Sequence, residues 1–111
     1  MARVTFTARY ARDHAALGAA SREAAVSLGA VRVLMAISDQ GGHATRPQLT
    51  DTMGAAREQV GRSLTVLRDA GLAEVWVAND GPMRRQMTHA ELTPAGHAIA
   101  ERVNEAAKEQ P

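Results

Sequence analysis

The chain has 111 residues and a net charge of +1, so it is one domain's worth of sequence, and any basic surface must be local. Hydrophobic residues make up 45% but aromatics only 3%, so the core must be built from Ala, Leu, Val, Ile and Met, and such a thin core favours oligomerisation. The lack of cysteine excludes disulfides, thiol redox sensing and cysteine-ligated zinc and, with no signal-like or membrane-spanning apolar run, fits a cytoplasmic protein.

Residues 1–12 carry Arg3, Arg9 and Arg12 among apolar positions. Val4, Phe6, Ala8 and Tyr10 alternate as in a strand, while Phe6 and Tyr10 also stand four apart, as at a helix start. A loose arm touching phosphates is the third reading, and packing of the two aromatics on a neighbour is the simpler account. Asp13 to Val26 is alanine-dominated, with Asp13 as a cap and Leu17, Ala20, Ala24 and Val26 as anchors, which predicts a helix that packs closely on another, including one from a second subunit. Ser27 is either a new cap or a bend. Leu28, Val31, Leu34 and Met35 continue the helical spacing, widened by Val33 and Ile37, until Asp39-Gln40-Gly41-Gly42 ends it. This most hydrophobic piece is the expected scaffold against which residues 45–70 pack.

Residues 45–71 are the informative stretch. Thr45 with Gln48 is the Ser/Thr-x-x-Gln capping box, and Pro47 is tolerated in the first turn. The short helix it opens buries Leu49 and Met53 and is broken at Gly54. A second helix runs from about Arg57 to Ala70 on a stripe of Val60, Leu64 and Leu67, and Gly71 stands where a helix end favours a left-handed residue. Arg57, Glu58, Gln59, Arg62 and Ser63 lie off that stripe, crowded towards the N-terminal half. Arginine and glutamine make paired hydrogen bonds to base edges in a major groove, and in a helix-turn-helix the start of the second helix reaches them. Solubility alone would also put arginine and glutamate on a surface helix; the β-rich segment after Gly71 favours the DNA reading.

After Gly71 the period changes. Leu72 to Ala78 is rich in β-formers, Asn79-Asp80-Gly81-Pro82 is a turn by composition, and Met83 to Leu92 can return as the partner strand. A hairpin directly behind a helix-turn-helix is a wing. Arg84 and Arg85 beside its turn can reach a minor groove, or simply discourage edge-to-edge strand pairing. Thr93 as cap and Pro94 at the first helical position open a last helix, whose narrow apolar face of Ala95, Ala98, Ile99, Val103, Ala106 and Ala107 needs a partner.

Residues 28–96 resemble the winged helix-turn-helix of bacterial transcriptional regulators, the MarR family first and ArsR-type repressors second. The resemblance rests on Met53-Gly54-Ala55-Ala56-Arg57-Glu58-Gln59-Val60-Gly61-Arg62-Ser63-Leu64 and on Leu67-Arg68-Asp69-Ala70-Gly71-Leu72. The wing stretch from Asp80 to Arg85 and Leu92-Thr93-Pro94-Ala95-Gly96 complete it. It implies DNA contacts by Arg57, Gln59, Arg62 and Ser63 from the recognition helix and by Arg84 or Arg85 from the wing. Asp80 would help to hold the wing arginine. Ala56 departs from the serine or threonine usual at its place.

The expected class is therefore mainly α with a small β-hairpin (α+β), in one domain over 1–111. Residues 1–26 form an arm and helix with a candidate dimerisation role, 27–92 the winged-helix core, and 93–111 the C-terminal helix. The expected function is a sequence-specific, dimeric repressor that binds double-stranded DNA; the alternative is a winged-helix module that docks on proteins. No enzyme is expected. His14, His43, His89 and His97 have no base-forming or nucleophilic sequence neighbours, and no phosphate loop or metal-hydrolase cluster occurs. His97, Glu101 and Glu105 have ligand spacing on the last helix, a pattern common by chance, so no metal or other cofactor is assigned. The effector, if any, is not encoded in a readable motif.

Overall fold

The computed structural model describes residues 14–108. The strand, helix-start and arm readings of 1–12 and the Asp13 cap lie outside the described residues.

The centre of the fold is α2, Leu28–Asp39, which is buried nearly all round: Ala30, Val31, Val33, Leu34, Met35, Ala36 and Ile37 are all buried. Only Arg32 and Asp39, seven residues apart on one side, are exposed, so the helix must have neighbours around most of its circumference. They are α1 (His14–Ala24), α3 (Arg46–Met53), α4 (Arg57–Asp69), α5 (Pro94–Lys108) and a small sheet. Ser27 is a true cap rather than a bend, because its Oγ accepts from the Ala30 amide at 3.1 Å. Burying a leucine such as Leu34, Leu49, Leu64 or Leu67 contributes roughly 1.5–3 kcal/mol, so this core, aliphatic among the described residues, depends on many modest contributions.

The sheet has three strands where a two-stranded hairpin was expected. β2 (Ala73–Ala78) and β3 (Met87–Leu92) form the hairpin, and β1 (His43–Thr45) adds to the far side of β3, giving the antiparallel order β1-β3-β2. Three residues ending at a helix cap carry no periodicity, so β1 has no sequence signal. Its register, with Ala44 opposite Ala90 and Thr45 opposite His89, puts small side chains inward against the helices. β3 starts later than expected, at Met87, because Pro82–Arg84 form a tight turn in which Met83 and Arg84 are left-handed.

Three helices end in the same way, with an amide beyond the helix end bonding back to a carbonyl five residues earlier: α1 through Val26 to Ser21, α2 through Gly42 to Ile37, α4 through Leu72 to Leu67. The left-handed residue is Gly41 in α2 and Gly71 in α4, but Ala25 in α1, at φ 56°. A left-handed alanine costs on the order of 1–2 kcal/mol. Beside the end of α4, Thr93 joins three elements. Its Oγ1 donates to the Gly71 carbonyl at 2.7 Å and accepts from the Gly96 amide at 3.1 Å, while its own amide bonds to the Leu72 carbonyl at 3.1 Å. Gly96 is needed there for closeness, since a Cβ at that position would stand 2.0 Å from the Leu72 carbonyl oxygen.

Two substitutions test these points by thermal denaturation. Ala25→Gly is expected to stabilise by roughly 0.5–1 kcal/mol, the left-handed penalty removed less the added backbone entropy of glycine. Gly96→Ala should instead destabilise by about 3 kcal/mol, the clash outweighing the helix-propensity gain.

Candidate nucleic-acid interface

α3 and α4 form the helix-turn-helix. The capping box is complete: Thr45 Oγ1 accepts from the Gln48 amide at 3.3 Å and Gln48 Oε1 accepts from the Thr45 amide at 2.8 Å. Gly54 closes α3 in the left-handed region at φ 61°. Ala56 stands at the N-cap of α4 with extended backbone and no side-chain cap, so the amides of the first turn of α4 lack the usual hydroxyl acceptor.

The buried stripe of α4 is Val60, Ser63, Leu64 and Leu67. Ser63 is thus 8% exposed and faces inward, where the space beyond Gly29 of α2 meets its Oγ. The spacing explains it: Ser63 falls three residues after Val60 and four before Leu67, so it shares their face. The structure does not bring it to the surface with Arg57, Glu58, Gln59 and Arg62, which are all exposed. Glu58, Arg62, Thr65 and Asp69 form the outermost stripe, and Asp69 is engaged by Arg68 at 3.2 Å.

Arg57, at the start of α4, opens onto a groove of about 710 Å³ between α3 and the wing. Arg46 of α3 and Arg85 of the wing line the same groove, together with Asp51 of α3, and Pro47, Pro82, Met83 and Met87 supply apolar wall. Arg85 is therefore brought to the helix-turn-helix, whereas Arg84 is exposed at the wing's tip and is not among the groove residues. Met83 and Arg84 both hold left-handed backbone at φ 58°, and Met83 is 90% exposed. Arg46 has no place in the sequence-based contact set; the available signal is its position directly after the capping threonine, at the head of α3.

Asp80 does not hold a wing arginine. Its carboxylate meets His89 Nε2, 3.0 Å from Oδ1 and 2.9 Å from Oδ2. The hairpin register decides this: His89 lies opposite Trp76, and the turn after Ala78 returns Asp80 over it. The His89 hydrogen bond is the main reason that the Asp80 carboxyl is held below its ordinary value of 3.8, partly opposed by desolvation and aided by the charge of the histidines. The stabilisation is present above that value and is lost as pH falls through the lowered one. His89 Nδ1 in turn lies 3.0 Å from His43 Nε2, and the His89 ring stacks on Trp76 at 5.3 Å and 7°. Trp76, 40% exposed, is thus flanked by two imidazoles and does not head an open apolar patch. On α5, His97 packs against Gly42, while Glu105 pairs with Lys108, and Arg102 pairs with Glu23 of α1. Among the described residues no group of three or more His, Asp or Glu side chains is placed to hold a metal, and no helix is long and apolar enough to cross a membrane.

A helix-turn-helix followed by a β-hairpin and closed by a terminal helix defines the winged-helix class. Within it, the chain has the MarR-like fold. A MarR family transcription regulator superposes with a TM-score of 0.67 at 29% identity, over 85% of this chain and 61% of that one. BpsR of Bordetella bronchiseptica, whose DNA binding is regulated by 6-hydroxynicotinic acid, gives 0.65 at 22% identity over 91% of this chain and 74% of its own. Wild-type MarR from E. coli gives 0.66 at 19% over 91% and 71%. The chain thus spans about three fifths of the first regulator's length. These neighbours are transcription regulators rather than enzymes. No family model and no curated protein matches the sequence.

The uncapped start of α4 yields a test. Ala56→Ser should stabilise the fold by about 1 kcal/mol, read as a raised denaturation midpoint, because the extended backbone already suits a capping hydroxyl.

Proposed function

We propose that this protein is a cytoplasmic, sequence-specific DNA-binding transcriptional regulator that acts as a dimeric repressor. In this reading α4 enters a major groove with Arg57, Glu58, Gln59 and Arg62, and the wing places Arg84 and Arg85 on the neighbouring minor groove. The observation that carries it is the groove shared by Arg46, Arg57 and Arg85 beside the exposed stripe of α4 that bears Arg62. Three guanidinium groups from the first helix, the second helix and the wing suit the two edges of a phosphate backbone, and Arg62 stands forward to meet base edges. Ser63 is left out of the contact set because it faces the core.

The likeness to regulators of the MarR family supports the same reading, and BpsR supports a small-molecule effector for this chain too. A two-fold dimer would set two copies of α4 in successive major grooves, ~34 Å apart, on an imperfect palindrome. The protein-docking alternative needs an open apolar surface at Trp76, and the flanking imidazoles argue against it.

Fluorescence-anisotropy titrations against the DNA upstream of the protein's own gene, with a scrambled duplex and at two salt concentrations, test the proposal. Tighter binding to the native duplex that weakens steeply with salt is expected; no binding to either duplex at low salt would overturn it. Arg62→Ala should cost about 1–3 kcal/mol and relax specificity at one base position. Arg85→Ala should weaken binding to all sequences alike and reduce the salt slope by roughly 0.9, the loss of one phosphate contact.

A further inference from the structure

We propose that Asp80, His89 and His43 form a proton-operated clasp that fixes the root of the wing to β1 and opens when both imidazoles become charged. The three groups come from different places in the chain: the wing turn, β3 and β1. A carboxylate only accepts hydrogen bonds, so His89 must donate from Nε2 to Asp80, and in the neutral ring Nδ1 is then a bare acceptor. His43 must supply the N–H of the 3.0 Å contact from its Nε2. The tautomers of both rings are thereby assigned by their partners.

One added proton can be held by the pair with every hydrogen bond intact, because a single N–H still fills the contact between the rings. A second puts an N–H on both His89 Nδ1 and His43 Nε2 across the same 3.0 Å, N–H facing N–H and charge facing charge. The contact then breaks. Asp80 remains ionised through this range, since its carboxyl is held below its ordinary value chiefly by the His89 hydrogen bond.

The other charged groups around the cluster are of both signs. Glu91 of β3 stands directly opposite His43 of β1 and opposite Glu74 of β2, so a row of two carboxylates borders the imidazole pair. His97 of α5 lies against Gly42, next to His43 in the chain, and Arg84 and Arg85 lie beyond Asp80 at the wing's tip. Opening acts on the helix-turn-helix directly. β1 pairs over three residues only, and Thr45, its last, is the cap of α3. The bond from His89 Nε2 to Asp80 is kept, now between a charged imidazole and a carboxylate, so the wing turn stays fixed to β3 while β1 is released.

The consequence for DNA rests on the function proposed above, but the clasp itself is tested on the free protein, without DNA. Trp76 is the sole tryptophan and stacks on His89, so its fluorescence reports the cluster alone. Emission and backbone amide exchange are recorded from about pH 8 to about pH 4.5, across the range where histidines change charge, with far-UV circular dichroism to monitor global folding. The wild type should show an acid transition in which Trp76 emission moves to the red and the β1–β3 amides exchange faster, while α2 keeps its protection. In His43→Gln the second-proton conflict is gone, and the transition should vanish. In Asp80→Asn, loss of the carboxylate should move the midpoint to lower pH. A wild type with no local transition, a transition that persists unchanged in His43→Gln, or an Asp80→Asn midpoint that stays in place would each overturn the clasp.

Discussion

The structure depends on the bond set at Thr93. Its hydroxyl and amide take the two carbonyls just beyond the end of α4, Gly71 and Leu72, while the same hydroxyl caps the last helix through the Gly96 amide. One residue thereby ties the C-terminus of α4 to the exit of the wing and to the start of α5. The close approach works because Gly96 has no side chain where the Leu72 carbonyl passes. With α4 held at its end and α2 buried beneath it, the angle at which α4 presents Arg62 is set by packing.

The wing is fixed at its root rather than at its tip. Strand pairing and the inward row of Ala44, Ala73, Ala90 and Leu92 hold β1, β2 and β3 against the helices. The outer face carries the polar devices: Trp76 and His89 in one row, Glu74, Glu91 and His43 in the next. Beyond them the chain coils tightly through Met83 and Arg84 in left-handed backbone, which turns Arg85 back towards Arg57.

Much of the fold is legible in the sequence because the signals are local. The capping box at Thr45, the break at Gly54, the end at Gly71 and the cap at Thr93 each need only residues within one helical turn. The apolar stripe of α4 is legible for the same reason, but hydrophobicity alone makes it one residue too narrow. Ser63 is polar and so is expected outward, although its spacing from Val60 and Leu67 places it on the buried face. Polarity is a weaker guide than periodicity where a small hydroxyl can be enclosed without much loss.

Spacing along the chain is enough to place most of the helices and their apolar faces, and to show that a basic helix is followed by a turn and a β-rich return. Three further features emerge only in three dimensions: β1 exists, Arg46 and Arg85 share a groove with Arg57, and Asp80 meets His89 rather than an arginine. His43 and His89 are 46 positions apart and look scattered in the chain; strand register alone brings their rings to 3.0 Å. Cross-strand partners are chosen by pairing and burial over the whole domain, and no local pattern records that choice.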